Sequence, residues 1–232
     1  MTDFLPEALR QPFKGILFDL DGTLIDSEEL HYVAWKQALL DYGYDMDSIG
    51  EPVPYQGNFR KMYTDIAAKL RLPEDTFEQV YQRKVEITLA TPATEISVVE
   101  GIISFLEFLK DQRVPMGIVT NSEKDYVEHV LDGFGFREYF DQVVHADHVV
   151  LPKPAPDGYT YGASLLDLPT QDVLAFENTD VGITAARAAG LKVIAIRSTD
   201  WLGLSTYADA HLAIDHFGDS ALDDLMFIGQ SE

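Results

Sequence analysis

Short apolar runs alternate with amphipathic stretches along most of the chain. Five runs read as strands: GILFDL from Gly15, PMGIVT from Pro115, DQVVHA from Asp141, DVLAFE from Asp172 and LKVIAI from Leu191. Each is short, largely apolar and bounded by polar or turn residues, the pattern of a strand buried on both faces of a parallel sheet. Between the later runs lie segments with apolar residues at helical spacing: GIISFLEFLKDQ, EKDYVEHVLDGFG, APDGYTYGASLLD and TDVGITAARAAG. The last ends at Gly190, directly before a new strand, which suits the left-handed residue that closes a helix. Strand–helix alternation of this kind predicts a doubly wound α/β core with a parallel, Rossmann-like sheet. Beyond Asp200 the pattern adds a last strand around 211–214 and a terminal helix.

Residues 27–98 break this rhythm. They carry no strand pattern, only the helix-like segments EELHYVAWKQALLDYG, FRKMYTDIAAKL and TFEQVYQRKVEITLA, interrupted at Gly43, Pro52, Pro54 and Pro73. An all-helical block inserted after the first strand predicts a cap over the core. The expected organisation is therefore an α/β catalytic core of residues 1–26 and 99–232 and a helical cap domain of residues 27–98. The length of 232 residues suits one large domain with such an insertion.

Composition narrows the partners. Hydrophobic residues make up 46% and charged residues 24%, enough to bury a sizeable core. With 17 Lys and Arg against 39 Asp and Glu, the net charge is −22. Nucleic acid and anionic membrane, both polyanions, are excluded as bulk electrostatic partners. An anionic substrate would need a local positive site. The absence of cysteine removes disulfides, zinc–thiolate and iron–sulfur sites and thiol nucleophiles. The start, MTDFLPEALR, lacks the basic-then-apolar order of a secretory signal, and no run approaches the roughly 18 apolar residues of a membrane span. A cytoplasmic protein is the expectation.

Ligands of an open parallel sheet gather beyond the carboxyl ends of its strands, so the residues after each run carry the chemistry. After the first come Asp19 and Asp21, either side of Leu20, with Gly22 and Thr23 completing a turn. Two carboxylates spaced i, i+2 at a strand end can face one crevice, and their burial calls for a cation or a proton between them. After the second come Thr120, Asn121 and Ser122 before a helix opening at Glu123, a place for an anion and equally for simple capping by Ser122. After the third, Lys153 stands between Pro152 and Pro154, a point charge in a restricted loop. After the fourth, Glu177 and Asn178 offer oxygen ligands to a hard cation. Together these are the parts for phosphoryl transfer to a carboxylate.

DLDGT, the VTNS segment, the lysine of KPAPD and FENTDVGITAARAAG resemble, in order, the four motifs of the haloacid dehalogenase-like superfamily. The likeness runs over essentially the whole chain, and the position of the cap resembles the subgroup containing β-phosphoglucomutase and phosphoglycolate phosphatase. The resemblance implies that Asp19 attacks phosphorus and becomes a phospho-aspartate, while Asp21 protonates the leaving oxygen and then activates water. It implies that Thr120 and the Asn121 backbone hold the phosphoryl group with Ser122 beside them, and that Lys153 neutralises it. Mg²⁺ would sit on the Asp19 carboxylate and the Asp21 carbonyl, with Glu177 and Asn178 completing or supporting the shell. An acid at Asp21 favours phosphatase or phosphomutase over dehalogenase. The chain departs from the family's usual E-D-S at Glu177-Asn178-Thr179. One negative charge is lost there, so Mg²⁺ binding is expected to be weaker and Asn178→Asp to tighten it.

Within the inserted block, His31 and Trp35 are four apart and share a helix face. DSEELHYVAW resembles the subgroup region whose histidine faces the active site; the other reading is a half-buried face that packs an aromatic. YQGNFRKM resembles the segment that brings an arginine to the substrate, which puts Arg60 there or leaves it a solvated charge. Lys84 reads as surface. The expected substrate is a small phosphorylated metabolite, a sugar phosphate foremost, hydrolysed with Mg²⁺. A sugar phosphomutase is one alternative; a catalytically impaired binding or regulatory protein of this fold, suggested by Asn178, is another. The sequence does not indicate an oligomeric state.

Overall fold

The computed structural model describes residues 5–51, 53, 59–200 and 202–229. Pro52, Pro54 and the 55–58 part of the segment around Arg60 lie outside these residues. Six parallel strands form the main sheet: β1 (Gly15–Phe18), β4 (Met116–Val119), β5 (Gln142–Val144), β6 (Val173–Glu177), β7 (Lys192–Ile196) and β8 (Leu212–Ile214). A two-stranded antiparallel ribbon, β2 (Ile25–Asp26) with β3 (Ser97–Val98), lies outside it. The sheet order is β5-β4-β1-β6-β7-β8. From β1 the chain builds one side as β4 and β5, then crosses to the other side as β6, β7 and β8. Strand order therefore reverses at β1, and the crevice beyond its carboxyl end is the switch point where such sheets bind ligands.

The doubly wound architecture follows from the strand residues. β1, β4 and β6 are buried at every position, so helices must cover both faces. On one face Phe18 stacks on Phe176 at 5.2 Å, and Phe105 and Phe217 close around them at 5.1–6.4 Å. This side is covered by α4 (Ile102–Asp111), α5 (Lys124–Phe134) and the terminal α8 (Ser220–Gly229), whose Leu106, Val127 and Leu225 are fully buried. Each such side chain contributes about 1.5–3 kcal/mol by leaving water. The other face uses smaller residues: Ala175, Ala195 and Val193 lie against Ala163 of α6 (Asp157–Leu165) and Ala185 and Ala186 of α7 (Asp180–Ala188). Thr179 caps α7 by accepting from Gly182 N, and Gly190 (φ 90°) lies just beyond its end, before β7.

The inserted residues fold as α1 (Glu28–Asp41), α2 (Phe59–Leu70) and α3 (Phe77–Ala90), with α1 and α3 packed along one another. They enclose their own apolar cluster, with Trp35, Leu39, Met62, Ile66 and Val80 buried, distinct from the two clusters on the sheet. Residues 27–98 had no strand pattern, yet Ser97–Val98 pairs with Ile25–Asp26, Val98 opposite Ile25. A two-residue strand has no periodicity to read; its partner defines it. This ribbon marks where the helical block leaves and rejoins the rest of the chain.

Candidate active site

β1 stops at Phe18 because the next residues turn back on themselves. Leu20 O accepts from the backbone N–H groups of Thr23, Leu24 and Ile25, and Gly22 takes φ 75°. That conformation favours glycine, and the space demands it too: a Cβ at Gly22 would lie 1.9 Å from Asn178 Nδ2. The turn brings Asp19 and Asp21 into one narrow pocket with Glu28, Thr120, Asn121, Ser122, Lys153, Asn178, Thr179 and Val181.

The two aspartates have opposite environments. Asp19 Oδ1 accepts from Lys153 Nζ at 2.5 Å, and Lys153 also donates to Val119 O at 2.7 Å and Glu177 Oε1 at 2.6 Å. Burial and the nearby Glu177 raise the Asp19 carboxyl well above its usual value, outweighing the pull of Lys153. Asp21 Oδ1 accepts from Ser27 Oγ at 2.6 Å, His31 Nε2 at 2.8 Å and Tyr126 OH at 2.9 Å, and Oδ2 accepts from Ser122 Oγ at 2.5 Å. Burial would raise this carboxyl, but His31, Ser122 and Ser27 outweigh it and hold it well below the ordinary value. Burial thus disfavours the charge on one carboxyl, while hydrogen bonds favour it on its neighbour.

Several expected roles change. His31, read either as facing the active site or as part of a half-buried packing face, is fully buried and meets the site's Asp21 through Nε2, with Nδ1 at 3.0 Å from Lys84 Nζ. A charged Lys84 donates to Nδ1, so Nε2 carries the proton given to Asp21; burial and Lys84 keep the ring neutral. Trp35, on the same helix face, packs instead among Tyr63 and Tyr81. Lys84 was read as surface and is 3% exposed. Its signal was spacing: it lies four residues from both Val80 and Thr88, which are also buried. Ser122 neither caps α5, which starts with Glu123 at its N-cap position, nor presents a free hydroxyl, since that hydroxyl holds Asp21. Asn121 brackets the lysine loop, accepting from Lys153 N at 2.9 Å.

Arg60 does not join the pocket. Its guanidinium lies 4.2 Å over the Phe77 ring on an exposed turn of α2, where this cation–π contact with α3 directs it. Glu177 was expected to complete or support the metal shell, and its carboxylate engages three neighbouring donors. Oε1 accepts from Lys153 and from Tyr159 OH at 2.6 Å, and Oε2 from Asn178 N at 3.1 Å. One of those donors is Lys153 Nζ at 2.6 Å. Gly182 makes room for Glu177, since a Cβ there would fall 2.0 Å from the carboxylate.

Residues 16–196 match the model of the family described as haloacid dehalogenase-like hydrolase. The chain belongs to that family. Among its relatives is the fructose-1-phosphate phosphatase YqaB of Escherichia coli K12, 32% identical over 188 residues, covering 80% of this chain and 97% of that one. The validoxylamine A 7'-phosphate phosphatase of Streptomyces hygroscopicus subsp. limoneus is 31% identical over 194 residues, covering 81% and 87%. Among solved structures, CbbY from Rhodobacter sphaeroides in complex with phosphate superposes with a TM-score of 0.76 at 28% identity, over 92% of this chain and 99% of that one.

For this haloacid dehalogenase-like hydrolase the fit of a metal ion can be tested on its own atoms. Among the described residues no three His, Cys, Asp or Glu side chains stand together as a ready cage. Asn178 Oδ1, however, is buried with no hydrogen-bond partner, in the same pocket as Asp19 and Asp21. A buried orphaned acceptor beside carboxylates suits a hard cation. The amide nitrogen donates to Glu28 Oε1 at 2.9 Å. Glu28 is a residue the motifs do not mark; its only local signal is an acidic pair, Glu28-Glu29, opening a helix.

Buried Lys84 also makes a stability prediction. Burial pulls its ammonium down to about 8 from 10.5, against the attraction of Asp21. Between those values the unfolded chain keeps a proton that the folded chain releases, so stability rises with pH across the window. Urea unfolding at pH 7.5 and pH 10 should show this rise, of the order of 2–3 kcal/mol, in wild type and not in Lys84→Met. Parallel pH dependence in the two proteins would refute it.

Proposed function

We propose that this chain is an Mg²⁺-dependent phosphatase of small phosphorylated metabolites, sugar phosphates foremost, acting in the cytoplasm through a phospho-aspartate on Asp19. The observation that carries this reading is the meeting of Asp19, Asp21, Lys153 and Thr120 in one buried pocket at the switch point of the sheet. The names of several relatives, among them fructose-1-phosphate phosphatase and hexitol phosphatase A, support the substrate class.

In this reading Asp19 attacks phosphorus, forming an O–P bond as the bond to the leaving oxygen breaks. Asp21 gives that oxygen its proton, then takes one from the water that attacks phosphorus and frees Asp19. Lys153, clamped by Glu177 and by the Asn121 bracket on its backbone, sets positive charge where the phosphoryl group arrives in an otherwise acidic protein. Thr120, at the end of β4, lines the position of the transferred group. Mg²⁺ would be held by the Asp19 carboxylate, the Asp21 carbonyl and Asn178 Oδ1, and when bound it neutralises phosphoryl charge. The four donors on Asp21 favour its anion, the form that activates water. To act as acid in the first half, Asp21 must leave some of those donors.

Residues 27–98 form the cap in this proposal. Tyr126 of α5 stacks edge-on against His31 of α1, so the helical block already reaches the acid/base. A pocket covered in this way admits a small ester and excludes a folded phosphoprotein. The test is a screen of sugar phosphates, nucleotides and pyrophosphate with and without Mg²⁺, following both phosphate release and sugar isomerisation. Mg²⁺-dependent phosphate release from sugar phosphates is expected. Isomerised product without phosphate release would favour a mutase, and no turnover of any ester would overturn the enzymatic reading.

A further inference from the structure

The Asn178 position looks one charge short only when it is viewed alone. Glu28, the first residue of α1, is buried, and its carboxylate accepts from Asn178 Nδ2 at 2.9 Å. In this contact the amide nitrogen of Asn178 faces Glu28, so the amide oxygen faces away from it. That oxygen is the buried, unpartnered Oδ1. The glycine turn packs directly on the pair: a Cβ at Gly22 would lie 1.9 Å from Asn178 Nδ2 and 3.1 Å from Glu28 Oε1.

Charge accounting points the same way. Four carboxylates, Asp19, Asp21, Glu28 and Glu177, are buried in or beside the pocket. Lys153 answers Asp19 and Glu177, and Asp21 has its four donors. Glu28 meets a neutral amide, which does not compensate a buried charge. Burial accordingly raises its carboxyl well above the ordinary value, and a divalent cation beside Asn178 would favour its ionised form.

On the basis of the Mg²⁺-dependent reading above, we propose that Glu28 and Asn178 act as one cation-binding unit. Asn178 presents Oδ1 to the divalent ion, and Glu28, hydrogen-bonded behind it, supplies the negative charge that the fourth motif lacks. Glu28 is then a positioning and charge-supplying residue, delivered by the inserted helical block to a site otherwise built by the sheet. Metal binding would in this way be sensitive to how α1 is seated on the core.

The test measures Mg²⁺ affinity by calorimetry, together with Tm with and without Mg²⁺, on the full chain. The proteins are wild type, Glu28→Gln, Asn178→Asp and the double variant. The amide oxygen in Glu28→Gln can still accept from Asn178, so Tm without metal should hold, while Mg²⁺ affinity falls about tenfold. Asn178→Asp alone should tighten Mg²⁺ little, because the charge is already present and the new carboxylate would face that of Glu28. In the Glu28→Gln background the same change should restore affinity, a non-additive cycle. Unchanged affinity in Glu28→Gln, or no rescue in the double variant, would overturn the proposal. If Glu28→Gln fails to fold, Asn178→Asp alone still decides: tenfold tightening overturns the unit, and little change supports it. A wild-type protein that binds no Mg²⁺ sinks the metal reading itself and the unit with it.

Discussion

Asp19→Asn should leave a folded protein whose turnover of every phosphate ester falls by a factor on the order of 10⁶, the scale seen when a covalent nucleophile is removed. The amide keeps the shape of the side chain but cannot carry a phosphoryl group, so no residual double-displacement route remains. Folding should not be the cause of this loss. The Asp19 carboxyl is raised by burial and by Glu177, so its ionised form costs native-state stability once pH exceeds the ordinary aspartate value. A neutral amide removes that cost and weakens one contact with Lys153, whose bonds to Glu177 and Val119 O remain. These opposing effects should leave stability within about 1 kcal/mol of wild type. Steady-state turnover and a thermal melt on one preparation check both halves. Turnover within tenfold of wild type would remove Asp19 from the nucleophile's role.

The sequence shows the site wherever its chemistry is local. Asp19, Lys153 and Glu177 lie at or beyond the ends of strands whose apolar runs have sharp polar ends, so the sheet can be drawn and its carboxyl edge read off. What it hides is what tertiary packing brings in. Ser122 and Tyr126 reach Asp21 from about a hundred positions away, and Glu28 reaches Asn178 across 150. Periodicity says that such residues lie on a buried face, but not which polar group they meet there. Arg60 shows the converse: the sequence left it between a substrate contact and a solvated charge, and only the packing of α2 on α3 places its guanidinium over Phe77. Asn178 had the fullest local reading and was still half a reading, because its second half is on α1.

Asp21→Asn should separate the two halves of the reaction. The carboxylate would act as acid for the leaving oxygen and then as base for water, and losing such a group costs about 10²–10⁴-fold. A sugar phosphate has an alkoxide leaving group that needs the proton, so its turnover should fall by that full range. A nitrophenyl phosphate has a leaving group that departs without one, so phosphoryl transfer to Asp19 persists while hydrolysis of the phospho-aspartate stalls. Rapid mixing should therefore show a burst of about one nitrophenolate per enzyme, then slow turnover. Stability gives an independent sign. The Asp21 carboxyl is held below its ordinary value by His31, Ser122 and Ser27 against the opposing effect of burial. Its contribution is thus present above the unfolded-state value and lost as pH falls through the folded-state one. The variant should be less stable than wild type at pH 7 by about 2 kcal/mol, the scale of a lost charged hydrogen bond, and the gap should close in acid. Equal losses on both esters with no burst would make Asp21 a structural anchor for α1 and α5. A burst would establish that the four donors hold a group that moves protons.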